Sequence, residues 1–162
     1  DVLRGLNFML LVAGDARDPH LPGTQEYVKE IAMFVQNDGL QDLVRIHQGF
    51  VDDKDLSVVF HAADFAVLNH QTGLLSNSAV LRQLQAYGVP VCAAKTPPLS
   101  DAADGGALLH ETVDELAENL VLLAKDQNLR DELRRQAKVV AGRMSTEVTA
   151  KLHEDLYVSL VH

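Results

Sequence analysis

Apolar positions along the chain gather into short continuous runs, with longer stretches of helical period between them. The runs at 8–13, 44–48, 65–69, 89–93 and 107–109 are mostly unbroken rather than alternating, as parallel strands covered on both faces require. Between them, residues 25–37 set Tyr27, Ile31, Phe34 and Val35 on one helical face, residues 56–63 make a shorter helix, and residues 79–87 make another. Alternation of this kind predicts crossover βα units, and hence an α/β fold with a three-layer, doubly wound parallel sheet. The last third, 112–160, reads as helical. Thr112 and Glu115 have capping-box spacing, and Leu116, Leu120 and Leu123 then recur on one face. Asn128 is expected to cap the next helix, which carries Leu129 and Leu133, and Ser145 or Thr146 the last. In that last helix Val148, Leu152, Leu156 and Leu160 recur every four residues. This stripe is expected to dock on the sheet or on a neighbouring domain. A membrane-lying helix would want a basic polar face, and this one carries Glu147, Glu154 and Asp155.

Composition narrows the picture. A length of 162 residues fits one domain with one good core. Apolar residues make up 47% with 5% aromatic and no Trp, which suits an aliphatic α/β core better than a β-sandwich. A net charge of -9 repels phosphate backbones, so nucleic acid is not an expected partner, although a local phosphate site built from backbone amides stays open. The single Cys92, inside VPVCAA, reads as a buried small hydrophobe. The given residues show no signal-peptide pattern and no 18-residue apolar stretch, so no transmembrane segment is expected and a cytoplasmic setting is the default expectation. The opening DVLRGL reads as the last turns of a helix feeding straight into a strand. That fits a piece of something longer, lacking its first strand and helix, and equally a ragged natural start.

The richest stretch for chemistry is LSNSAVLRQLQAYGVPV at 75–91. Ser76, Asn77 and Ser78 open a helix that stops at Gly88 before the next strand. Strand, loop, helix and strand in this order build nucleotide sites in open α/β sheets. The N–H groups of Ser78, Ala79 and Val80 could cradle a phosphate at the positive end of the helix dipole, and the same residues also make an ordinary serine N-cap. Gly14 ends the first strand and begins a loop with Asp15, Arg17 and Asp18, either to let backbone approach a ligand or as a plain turn. His70 follows the third strand at the expected ligand edge, although an exposed loop imidazole is the favoured reading. Dinucleotide and P-loop glycine fingerprints are absent, as are a nucleophile elbow and any tight His/Cys cluster. No metal is therefore expected, and no catalytic residue can be named. Asp52, Asp53 and Asp55 precede a helix and suit its dipole.

GFVDDKDL followed by HAADFAVL, the AYGVPV junction, and the closing helices through Leu156 and Tyr157 together resemble the C-terminal, donor-binding domain of GT-B retaining glycosyltransferases of the glycosyl transferases group 1 type. The resemblance runs through nearly the whole chain. It implies a Rossmann-like half whose substrate is a nucleotide-diphosphate sugar, with no separate cofactor. It places the diphosphate at the turn of Ser76, Asn77 and Ser78 and the amides of Ser78, Ala79 and Val80, the base against Val51, and the pocket's border at Gly14. The family's ribose-binding glutamate falls on Gln83, which can bond a hydroxyl without charge assistance. Its sugar-facing glutamate, eight positions earlier, falls on Leu75, which cannot. The family's leaving-group Arg and Lys lie upstream of the matched segment. The implied partner is an N-terminal acceptor domain of the same protein, through which the whole would sit in the cytoplasm, peripheral at the inner membrane face. The isolated chain is expected to bind rather than catalyse. A second reading is a non-catalytic relative serving as a binding or assembly module. A third is a receiver-type signalling domain, whose phosphorylatable Asp should end the strand that here closes on Leu68 and Asn69.

Overall fold

A computed structural model of the chain describes residues 6–14, 24–69, 78–97, 99–100 and 106–161. In chain order these hold β1 (Leu10–Gly14), α1 (Thr24–Asn37), β2 (Val44–Gln48), α2 (Asp53–Ala62), β3 (Ala66–Leu68), α3 (Ala79–Tyr87), β4 (Val91–Ala94), β5 (Ala107–His110), α4 (Val113–Lys125), α5 (Gln127–Arg143) and α6 (Thr146–Val161). The chain divides into two compact units, with the boundary after Leu56. In the first, β1 pairs in parallel with β2, from Leu10 beside Val44 to Gly14 beside Gln48. In the second, β3, β4 and β5 form a parallel sheet in that order, with Leu68 beside Ala93 and Ala94 beside His110.

Each strand expected from the apolar runs is present; β2 has the expected bounds, and the ends of the others differ by at most two residues. The run at 89–93 enters the ladder only at Val91. Pro90 has no N–H to give and serves as an acceptor, from Ala66 N at 2.9 Å.

β4 sits between two neighbours and is buried throughout. Side chains alternate across a strand, so Val91 and Ala93 face one way and Cys92 the other. The first set packs with Leu68, Leu81, Leu84, Val89 and Leu99. Cys92 packs with Leu123 and Leu133 beneath Leu108, Leu116 and Leu120. Helices thus cover both faces, the condition under which continuous apolar strands are stable.

The caps follow from side-chain reach. Thr112 and Glu115 form the full reciprocal capping box on α4, and Ser145 caps α6 by accepting from Val148 N at 3.3 Å. The expectation for α5 needs correcting. Its N-cap is Asp126, whose carboxylate accepts from Leu129 N at 3.0 Å, and Asn128 lies within the first turn. α4 and α5 meet at this one residue of extended backbone, so only Asp126 has the geometry to cap. Asp53 and Asp55 lie in the first turn of α2, as the dipole favours.

The stripe on α6 does not dock on the sheet. Val148, Leu152, Leu156 and Leu160 are 39%, 62%, 52% and 74% exposed, and α6 buries no residue. Spacing by four advances roughly 40° per step around a helix of 3.6 residues per turn, so the stripe spirals instead of presenting one flat face.

Candidate functional site

α3 connects β3 to its parallel neighbour β4, so the helix begins at the edge of the sheet where β3 ends. Ser78 precedes it in extended conformation, φ -106° and ψ 99°, and its Oγ accepts from Leu81 N at 3.2 Å. The Ser78 carbonyl takes Arg82 N at 3.2 Å. These bonds use the third and fourth amides of the helix. The first two, on Ala79 and Val80, have no acceptor among the described residues, and both residues are exposed. Ser78 therefore serves as an N-cap and still leaves two donors open to a ligand at the positive end of the dipole. At the other end, Gly88 closes α3 in a left-handed conformation, φ 69° and ψ 33°, with its N–H on the Gln85 carbonyl.

Gln83 is exposed, on the side of α3 away from the buried Leu81, Leu84 and Gln85. Gln85, fully buried, accepts from Arg82 Nη1 at 3.1 Å. Leu75, Ser76, Asn77 and His70 lie outside the described residues. In the first unit, Gly14 ends β1 with φ 149°, its carbonyl accepts from Gly49 N at 3.2 Å, and Val51 follows the exposed Phe50 beyond β2. The structure therefore brings Gly14 together with the Gly49 turn at the carboxyl ends of β1 and β2, and groups Ser78, Ala79, Val80 and Gln83 on α3.

One constellation had no signal in the chain's order. Cys92 Sγ lies 3.5 Å from His110 Nδ1, and His110 Nε2 lies 3.5 Å from Asn69 Oδ1. Cys92 lies on β4, His110 ends the neighbouring β5 and Asn69 follows the end of β3; His110 is 18 residues from Cys92 and 41 from Asn69, and only the ladder register unites them. Burial pushes the Cys92 thiol up from 9.0 to about 11, opposed by a contact with Asn119, so the sulfur keeps its proton. Asn119 also donates to the Leu109 carbonyl at 3.1 Å. Just beyond β4, Lys95 is held by Glu111 at 2.6 Å; the pairing raises the lysine's pKa and lowers the carboxylate's. That cation is thus committed to a neighbour. Among the described residues there is no cluster of three metal-ligating side chains, and no helix long and apolar enough to cross a membrane.

No protein-family model matches the chain, and no curated protein does. Solved structures match strongly. HepE of Anabaena, solved with UDP, superposes with a TM-score of 0.76 at 23% identity over 98% of this chain and 43% of its own; its complex with UDP-glucose gives 0.73 at 22%. The C-terminal domain of the group 1 glycosyl transferase LpcC of Francisella tularensis gives 0.67 at 14% identity, covering 85% of each chain. WaaG, a glycosyltransferase of lipopolysaccharide biosynthesis, gives 0.63 at 20%, over 86% of this chain and 35% of its own. The chain thus spans less than half of HepE and of WaaG, and most of the domain taken alone from LpcC. The parallel strands of each unit, the helices between successive strands and these superpositions agree on one point: the chain has the fold of a GT-B C-terminal domain.

Proposed function

We propose that the chain is the donor-side half of a glycosyltransferase, binding a nucleotide-diphosphate sugar for transfer of its glycosyl group to an acceptor. The observation that carries this reading is the start of α3, where the residues Ala79 and Val80 are exposed and their amides have no acceptor among the described residues. Breaking the bond between sugar and diphosphate builds negative charge on the leaving phosphate. Fixed N–H dipoles at a helix N-terminus stabilise such charge without reorganising. UDP and UDP-glucose in the HepE structures support the substrate class. Ser76 and Asn77 would line the same turn. Gln83, exposed on α3, offers an uncharged partner for a hydroxyl. The reading rests on the second unit alone. Its partner is an N-terminal acceptor half, which would supply the remaining catalytic groups, and the reaction would run with retention.

A specific observation favours a second reading. The positions that resemble the donor-site glutamates hold Leu75 and Gln83, which suits a relative that kept the architecture as a binding or assembly module.

Calorimetric titration with uridine, guanosine and adenosine diphosphates tests the proposal, comparing the chain with its Ala79→Pro variant. Proline at the first helical position removes one N–H and is well tolerated there, and the extended Ser78 before it is already outside the helical region that a following proline disfavours. At least one nucleotide should bind, and Ala79→Pro should weaken it about tenfold, the worth of one hydrogen bond to a charged group. Failure of all three to bind overturns the proposal. Binding that survives Leu75→Glu with Gln83→Glu unimproved favours the second reading.

A further inference from the structure

We propose that Asn69 is a ligand-facing donor of this site, its carboxamide held in orientation by His110 and, behind it, by Cys92. The inference rests on the donor-site reading and deepens it.

Three strand ends set the geometry. β3 ends at Leu68, beside Ala93 of β4, and His110 closes β5 beside Ala94. Asn69 is the next residue after β3, on the edge where α3 begins. His110 is 4% exposed and Cys92 fully buried, whereas Asn69 is exposed. The row therefore runs outward from the core, from Cys92 through His110 to Asn69.

One assignment of protons satisfies both contacts. The buried sulfur carries its proton, and a thiol facing Nδ1 donates to it. In that arrangement Nδ1 is the acceptor and Nε2 carries the ring's N–H. Nε2–H points at Asn69 Oδ1, and an amide whose oxygen is engaged turns its NH2 the other way. The outcome is two N–H donors presented at the carboxyl edge of the sheet. Their chemical complement is an oxygen acceptor, a phosphate or hydroxyl oxygen of the nucleoside diphosphate. At 3.5 Å the Nε2 to Oδ1 contact is loose, of the kind that tightens when a ligand takes the amide. His110 and Cys92 are positioning residues here, since neither reaches the surface.

The test titrates the same three nucleoside diphosphates into Asn69→Leu, His110→Leu, His110→Gln and the double Asn69→Leu/His110→Leu variant, with thermal unfolding of each. Asn69→Leu and His110→Leu should each weaken binding about fivefold. The double variant should be no weaker than Asn69→Leu, because the imidazole acts only through the amide. His110→Gln, whose amide N–H can stand for Nε2–H, should bind nearly as the parent does. If His110→Leu does not fold, Asn69→Leu, His110→Gln and the ring ¹⁵N shifts of the parent carry the test, with the proton expected on Nε2. Unchanged binding by Asn69→Leu, additive losses in the double variant, or a proton on Nδ1 would each overturn the inference. The donor-site reading still stands in those cases provided Ala79→Pro weakens binding. Loss of all nucleotide binding by the parent overturns both.

Discussion

Gly88 is a residue whose identity the backbone dictates. Its φ of 69° strains any residue with a Cβ, and a Cβ there would meet Lys138 Cε at 2.6 Å and Arg134 Cγ at 3.3 Å. The lysine end can swing aside, whereas the dihedral cannot relax without opening the cap. Gly88→Ala should cost about 1–2 kcal/mol, read as a lowered urea midpoint with unchanged slope. This glycine was legible in the sequence, standing between an apolar helix and a Val-Pro-Val strand, and so was the burial of Cys92. The hydrogen bond that Cys92 makes was not, because the pairing of β4 with β5 sets it. A second test follows from the thiol's titration. Folded, it holds its proton up to about 11, against 9.0 ordinarily, so the unfolded chain loses that proton first. Stability should fall as pH climbs from 9 to 11, and Cys92→Ala should flatten that slope in pH-dependent denaturation curves. Between these two sits Gln83, whose position the sequence supplied and whose exposure the structure adds.

Among the elements, caps are the most local features and the easiest to read ahead. Thr112→Ala removes one half of the box that starts α4 and should lower stability by about 1 kcal/mol, measured by chemical denaturation. The box needs only its own four residues, so spacing revealed it. Asp126 escaped because sequence cannot say that α4 and α5 share a single junction residue, and Asn128 has equal capping propensity. Strands were found because VPVCAA and FAVLN are apolar without alternation, yet their ends moved where Pro90 could not enter the ladder. The start of α3 shows the limit for function. Local residues predict a serine cap and an anion cradle with equal right. Only the bonds from Leu81 and Arg82 show that the cap uses later amides, with no acceptor for the first two among the described residues.

At the scale of the whole molecule, the parallel arrangement was readable from the order of runs, and superposition on GT-B C-terminal halves agrees with it. The fate of the last helix was not readable, since a four-residue repeat looks the same whether or not anything covers it. Leu156→Gln should shift the chain's melting by less than about 0.5 kcal/mol, the ordinary cost at a surface position. α6 has further consequences. Sixteen residues that bury none of their own side chains draw order from the Ser145 cap and from Lys151 bridging Glu154 and Asp155 at 3.0 and 3.1 Å. Such local support is marginal in water for a helix of this length. Its amides should therefore trade their hydrogens for deuterium well ahead of those in β4, and any body that settles on this helix will announce itself by slowing that trade.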